Sequence, residues 1–558
     1  TPDLNIQGRM RYERGEEHWV HNAYASSVGN LYPMGRMKDN RYFSDQLYGD
    51  VLVSYNHTFN DFSLSATAGS SFTKTKTSHV DLWGEGSQFS QPGSGNIFYP
   101  NIFTPNNYYG NMSTVGKDDN WMTQKRLNSV FATAQLGYRE GIFLDISARN
   151  DWSSTLANTE SMKNGFFYPS VGLTWIMSNS IKLPEWINFS KFRGSFAQVG
   201  NDLPIGITNL ADIIQCGGSI QTNDIEQRGD LKPEISTSIE FGTEWKFFNN
   251  RFGIDFTWYR TDTKNQLLRV ANPAGSLYAF RYINAGKIRN TGIELTLEGT
   301  PFMNENFRWK TAVNMSMNRN KVVSLHKDYK SFRYGSEGFS MAYDMWVKEG
   351  GKLGDIYGNG FERDENGKIK LNETGNPIKV TGNNTLLGNA NPDALLGWSN
   401  TFTYKGFTLY FLIDARIGGD VMSLTQAHLD AMGVSKESGE SRDRGYVEYE
   451  GIQFKDVPNF YGTVGGRNGI SEYYMYDATN VRLRELTLGY SFPETLLAKT
   501  KFIKGLDLTL VARNLFFLYK DAPFDPDATL SVGNTLQGVD VFGMPTTRNI
   551  GFNVKFTF

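Results

Sequence analysis

The sequence predicts an all-β fold, a transmembrane antiparallel β-barrel of about sixteen strands. Three observations carry this. First, Thr546 to Phe558 alternate without a break: Ile550, Phe552, Val554, Phe556 and Phe558 share one face, while Asn549, Gly551, Asn553, Lys555 and Thr557 share the other. A period of two is that of a strand with one apolar and one wet side. Second, the 558 residues are only 39% apolar with a mean hydropathy of −0.43, and no window approaches the roughly 18 apolar residues of a membrane helix. A barrel reconciles polarity with membrane residence, because only alternate residues meet lipid. Third, similar runs recur along the chain and are joined alternately by tight turns and long loops.

Taken in order, strands are expected near 4–12, 41–59, 62–76, 123–139, 142–152, 166–178, 188–199, 234–248, 252–268, 284–301, 307–321, 394–404, 407–417, 478–492, 505–517 and 546–558. Asn60-Asp61, Glu140-Gly141, Asn249-Asn250, Asn304-Glu305-Asn306 and Lys405-Gly406 have the residue types of tight turns. The joins 13–40, 77–122, 200–233, 322–393 and 418–477 are long. Short turns on one side and long loops on the other are the pattern of an outer-membrane barrel, periplasm below and exterior above. Counting back from a periplasmic Phe558 places every long segment outside. In 407–417, Phe407, Leu409, Phe411, Ile413 and Ala415 face lipid, while Thr408, Tyr410, Asp414 and Arg416 face the lumen. A charge on the lipid face near the midplane would cost about 2–4 kcal/mol, so Asp414 and Arg416 set the orientation. In 505–513, Leu506, Leu508, Leu510 and Ala512 oppose Asp507, Thr509 and Arg513 in the same way. An open sheet cannot sit in a bilayer, since its edges would leave backbone groups unpaired. Either these strands close alone or an upstream part supplies the rest.

Composition narrows the function. Net charge is −2 without a basic run, which argues against nucleic acid. The single cysteine, Cys216, cannot form an internal disulfide and is read as a small half-buried loop residue. No enzyme is expected. Ser324-Leu325-His326-Lys327 matches S-x-x-K, but neither K-T-G nor S-D-N accompanies it. His18 and His21, read as sharing a loop, are solvated residues before they are metal ligands, and His57, His79, His326 and His428 form no H-E-x-x-H. In Asp364-Glu365-Asn366-Gly367 the glycine is fourth rather than sixth, so the segment reads as a hairpin turn and not a calcium loop. Neither a metal nor a cofactor is implied. Thr1-Pro2-Asp3 runs into a strand without a leader, so residues are expected upstream of Thr1.

A series of motifs is more specific. Arg149-Asn150-Asp151-Trp152-Ser153-Ser154 is followed by Tyr168-Pro169-Ser170-Val171 and Trp175. Then come Leu231-Lys232-Pro233-Glu234, Asn284-Ala285-Gly286-Lys287-Ile288-Arg289-Asn290-Thr291-Gly292-Ile293-Glu294 and Asn318-Arg319-Asn320-Lys321-Val322. Arg513-Asn514-Leu515, Asp525-Pro526-Asp527 and Gly551-Phe552-Asn553-Val554 complete it. In this order they resemble the C-terminal part of the SusC/RagA family of TonB-dependent transporters. The resemblance implies a 22-stranded plugged barrel, of which this chain holds most. The N-terminal extension, TonB box, plug and first strands would lie outside it. It further implies a SusD-like surface lipoprotein as lid, the TonB complex acting through the plug, and a dimer of SusC–SusD pairs as a larger assembly. The cargo would be an oligosaccharide, or alternatively an oligopeptide. Phe556 and Phe558 would carry the barrel assembly signal. A passive sixteen-strand porin would need these strands to close alone, and a siderophore or cobalamin transporter would share the barrel without the motif series.

Aromatics in the outer segments are the candidate ligand contacts. Trp83, Phe98, Tyr99, Tyr108, Tyr109 and Trp121 fall in one, Tyr343 and Trp346 in another, and Tyr473 and Tyr474 precede a strand. Sugar rings stack on flat aromatics while their hydroxyls need polar neighbours. The competing reading is that these rings pack loops together, form the membrane girdle or touch the lid.

Overall fold

The computed structural model describes residues 3–25, 35–85, 99–104, 107, 115–116, 121–208, 213–216, 219–222, 225–226, 228–272, 275–276, 278–335, 342–380, 382, 385–500, 502–531, 533 and 536–558. Sixteen long strands run antiparallel in one sheet, each paired with its neighbours in sequence. They are β1 (Leu4–Ala23), β2 (Arg36–Phe59), β3 (Phe62–Glu85), β4 (Trp121–Tyr138), β5 (Ile142–Ser153), β6 (Phe166–Ile176), β7 (Ile187–Asn201) and β8 (Glu234–Phe247). The second half holds β9 (Phe252–Lys264), β10 (Lys287–Met303), β11 (Phe307–Ser324), β12 (Ala394–Tyr404), β13 (Phe407–Ile417), β14 (Asn480–Ser491), β15 (Gly505–Lys520) and β16 (Asn549–Thr557). A two-residue strand, Val115–Gly116, adds to the upper end of β3 and makes the sheet seventeen-stranded. Among the described residues β1 pairs only with β2, and β16 only with β15, so two edges are open.

The turns are as the residue types require. Lys405 and Gly406 have φ of 44° and 88°, the left-handed pair of a twist-compatible two-residue hairpin. Phe248, Asn249 and Asn250 have 54°, 58° and 60° in the four-residue loop between the paired Phe247 and Phe252. The register then separates two faces. Ile6, Val53, Ala68, Ala132 and Ala148 lie in one row across β1–β5. Phe256, Leu295 and Met315 lie in another across β9–β11. Both belong to the lipid face. At the tight-turn end this face closes on rings: Trp175, Phe192, Trp245, Phe247 and Phe252 form a chain with centroids 5.7–6.0 Å apart. Phe302, Trp309 and Phe402 continue it at 5.9 and 5.6 Å. This is the interfacial girdle of a membrane barrel.

Three expectations need correction. β1 continues to Ala23 and β2 begins at Arg36, so His18 and His21 stand on a strand and not in a loop. β3 runs to Glu85 and β4 starts at Trp121, which places Trp83 and Trp121 on strands too. The physical reason is common to all: beyond the bilayer both faces meet water, apolar alternation stops, and the hydrogen-bonded ladder goes on without it. Third, the long outer segments are not plain loops. Residues 331–389 hold a four-stranded sheet, Ser331–Gly335, Tyr343–Lys348, Asp355–Gly358 and Thr385–Asn389. Residues 424–464 hold three helices, α1 (Leu424–Ala431), α2 (Lys436–Arg444) and α3 (Val457–Val464). Each helix is capped by a side chain accepting from the first turn: Ser423 from Gln426 N–H, Ser435 from Ser438 N–H and Asp456 from Asn459 N–H. These pieces pack into a cap with two apolar clusters. One centres on Phe460, Tyr461, Val464, Ile470 and Tyr474. The other centres on Tyr343, Met345, Ile356, Met422 and Leu424.

Candidate ligand site at the barrel mouth

The inner face of the sheet is lined by ion pairs, some along one strand and some across one or two strands. On β1–β2, Arg9 Nη2 lies 2.6 Å from Asp50 Oδ2, and the Tyr48 hydroxyl donates to the same oxygen at 2.6 Å. On β4–β6, Arg149 donates to Asp151 at 2.8 Å and to Ser129 Oγ at 2.7 Å, while the Tyr168 hydroxyl also donates to Asp151. Lys191–Glu244 and Arg193–Asp255 repeat the pattern at 2.6 and 2.7 Å. Nearer the mouth, Arg482 bridges Asp414 and Asp527, Arg484 Nε donates to Asp414 at 2.6 Å, and Arg416 faces Asp527 at 3.5 Å. Asp414 and Arg416 thus face the lumen, as the alternation predicts. Charges fixed pairwise make a wet, weakly binding wall, not a reactive one.

Above the wall, the cap contains a cleft of about 710 Å³. Four carboxylates, Asp430, Glu437, Glu440 and Glu472, border it with three tyrosines, Tyr449, Tyr473 and Tyr476, and the one lysine is Lys436. The positions follow from the cap's construction. α1 and α2 supply Asp430, Glu437 and Glu440; the turn Ser471–Tyr474 supplies Glu472 and Tyr473, and the strands Val447–Tyr449 and Met475–Asp477 supply Tyr449 and Tyr476. Tyr449 and Tyr473 have centroids 4.9 Å apart, and Tyr476 meets Phe524 edge-on at 5.5 Å. Arg363 fastens the neighbouring hairpin to the cleft edge, donating to both oxygens of Glu450 at 2.7 and 2.9 Å and to Glu472 at 2.7 Å.

Electrostatics set what the cleft offers. Burial raises the Asp430 carboxyl above the usual aspartate range, against hydrogen bonds from Ser435 and Gln426. The Tyr449 phenol is pushed up to about 12 by burial and then by Glu450 and Glu472. Tyr473 and Tyr476 are raised further, burial again being the main cause. At neutral pH the tyrosines are therefore neutral O–H groups beside acceptor carboxylates. Such a surface takes N–H and cationic groups, or the hydroxyls and C–H faces of a sugar.

The residues singled out from sequence are scattered by the structure. Tyr473 lines the cleft. Tyr474 and Tyr343 are fully buried, the first in the helical cluster and the second donating its hydroxyl to Gln537 O at 2.7 Å. Both hold loops together and present no ring to a ligand. Trp346 is half-buried on the same strand as Tyr343, with the Lys348 ammonium 5.9 Å over its ring. Tyr99 is 52% exposed, its backbone tied to Asn107 by bonds of 3.0 and 2.8 Å. Phe98, Tyr108 and Tyr109 lie outside the described residues, as do the side chains of Trp83, Trp121 and Cys216. Ser324 ends β11, and His326 makes a bridge to Tyr329 next to it. Asp364–Gly367 is a hairpin turn, with Gly367 N–H on Asp364 O at 3.0 Å and φ of 81°. No motif in the sequence points to Tyr449, Tyr476, Asp430, Glu437, Glu440 or Glu472. The only signal in 437–476 is the density of Tyr and Glu, which no period organises.

A membrane sheet with a charged lumen, an aromatic girdle and a folded outer cap defines an outer-membrane transporter barrel. The model of the TonB dependent receptor-like β-barrel family matches residues 2–515, and the chain belongs to that family. Its similarity to TonB-dependent receptor P3 of Formosa agariphila is 26% identity over 539 residues, 90% of this chain and 52% of the relative. TonB-dependent receptor SusC of Bacteroides thetaiotaomicron is 25% identical over 347 residues, 59% of this chain and 32% of that one. The chain spans about half the length of the curated relatives it matches most extensively. Among solved structures it superposes on the RagAB peptide transporter with a TM-score of 0.75 at 17% identity, covering all of this chain and 60% of that one.

Proposed function

We propose that the chain forms the wall and mouth of an active importer of oligomeric nutrients, with oligopeptides favoured over oligosaccharides as cargo. The cleft carries this reading: of its four carboxylates Glu472 is paired with Arg363 and Glu440 with Lys436, which leaves Asp430 and Glu437 beside neutral tyrosine hydroxyls, a set that suits the N–H groups and cationic side chains of a peptide. The fold likeness to a peptide transporter supports the same choice. A glycan is the second reading, favoured by the half-buried rings of Tyr449, Tyr473 and Tyr476 along the cleft. The open edges of β1 and β16 would be closed by upstream strands of the same chain, with a plug inside them that TonB pulls. A SusD-like lipoprotein would cover the cap, and paired importers would form the larger assembly. The wall itself makes and breaks no bonds.

Calorimetry on the intact complex with matched sets of cationic oligopeptides and neutral oligosaccharides tests the cargo. Peptide binding that is lost in Glu437→Gln/Glu440→Gln is the expected result. Binding of oligosaccharides alone overturns the peptide assignment. Uptake that persists in cells lacking TonB would make the protein a passive pore.

A further inference from the structure

The lipid face ends abruptly on the outer side. Along β3 the apolar band runs from Phe62 to Phe72, about 33 Å at 3.3 Å per residue. Tilted by about 40°, that spans the ~25 Å of a barrel's apolar belt. The next rows on this same outward face are cationic. Across β9–β11 they read Arg260, Thr291, Arg319, then Asp262, Arg289, Lys321, then Lys264, Lys287, Ser324. Immediately below them is the row Trp258, Ile293, Met317. Asp262 is the one acid among these positions. It is shared by Arg289 at 2.7 Å, Arg260 at 3.2 Å and Lys287 at 3.6 Å.

Two like-charged pairs stand directly opposite each other, Arg289 with Lys321 and Lys264 with Lys287. Cross-strand pairs of one sign on one face are destabilising. Among the described residues Arg319 and Lys321 have no ion-pair partner, and both are exposed. The same pattern recurs independently on β1–β4. There the row Tyr12, Leu47, Lys74, Arg126 is followed by Arg14, Asp45, Lys76, Gln124. Lys74 opposes Arg126, with Asp45 the only acid in the two rows. The tight-turn end of the face closes instead on the aromatic chain described above.

We propose that these two outward patches bind the phosphorylated headgroup of an outer-leaflet lipid. Their level is that of the headgroups. Their guanidinium and ammonium groups supply charge-assisted hydrogen bonds to phosphate oxygens. An anion between the opposed cations removes the repulsion that the register otherwise imposes.

The test uses the intact transporter in detergent and native mass spectrometry. The probes are a bis-phosphorylated glycolipid of the lipid A type and the same lipid after phosphatase treatment. Wild-type protein retains the phosphorylated lipid with a preference of about tenfold, and retention falls with added salt, as screening requires. Arg319→Glu/Lys321→Glu and Lys74→Glu/Arg126→Glu each lower retention, and both together abolish the preference. Heat-modifiable migration on gels shows that each variant still forms the barrel. Arg319→Gln/Lys321→Gln serves if the charge reversals do not. Equal retention of the two lipids, or unchanged retention in all variants, overturns the proposal. Displacement of the lipid by millimolar inorganic phosphate also overturns it, since the site would then be one for the free ion.

Discussion

The membrane wall and the outer cap belong to one chain but are built by opposite rules. In the wall the apolar residues point outward, as with Ile146, Val171 and Leu173, which are 42–53% exposed on the lipid face. Its polar groups point inward and pair across strands. In the cap the order is that of a water-soluble protein, with Tyr343, Tyr474 and Phe460 fully buried and charge mostly outside, Asp344, Asp355, Asp430 and Asp540 being buried. The wall is held by its ladder and by lipid; the cap is held by side-chain packing between loops far apart in sequence. The two should therefore fail separately, and the sharpest experiments damage one and watch the other.

The largest effect is expected at the last strand. Phe556 pairs with Leu506 and stacks on Phe558 at 6.3 Å. Deleting Phe558 together with Phe556→Ala should remove most of the protein from the outer membrane, measured by fractionation and immunoblot, cap and wall alike. Next, Phe460→Ala or Tyr474→Ala should cost the cap about 3–5 kcal/mol. Proteolysis of residues 424–474 should become fast, while the heat-modifiable gel shift that reports the wall stays unchanged. Ile146→Arg, near the middle of the lipid face, should cost the wall about 2–4 kcal/mol in a bilayer folding titration and leave cap proteolysis as it was. If either variant weakens both regions equally, the comparison breaks.

Acid sharpens the comparison within the cap. The Asp430 carboxyl is raised by burial, so the stability it contributes is full below the ordinary aspartate value of about 3.9 and is lost as pH rises through its raised value. Glu450 is the reverse case. The Arg363 hydrogen bond holds its carboxyl below the usual range, so its contribution is present above the ordinary glutamate value of about 4.3 and is lost as pH falls through the depressed one. Amide exchange across 424–474 should thus respond to pH in opposite senses in Asp430→Asn and Arg363→Ala. The second should cost about 1 kcal/mol or less, since both partners are partly exposed.

The same contrast explains what was legible. β12 and β13 match the expected 394–404 and 407–417 to the residue, because lipid enforces alternation and Lys405-Gly406 marks the turn. In β1 the alternation ends at Tyr12 while the strand runs to Ala23, because Glu13 to Ala23 carries polar residues on both faces and shows no period. The cap was not legible at all. Its strands are two to six residues long, and its decisive contacts, such as Tyr343 with Gln537 across 194 positions, leave no local period. The candidate site shared that fate: Tyr473 was found by its aromatic character, and its acidic neighbours on α1 and α2 were not.

The overshoot of β1–β4 beyond the apolar band has a dynamic consequence. From Ser78 to Glu85, beyond the rows of Lys74 and Lys76, β3 stands about 23 Å further along its own axis, still paired residue for residue with β2. Amides there exchange only when a long ladder opens as a unit, although no lipid shields them. The cap can open by local repacking. The β1–β4 ladder is thus fixed on the timescale of loop motion, and the cap is the part that can rearrange without breaking the wall.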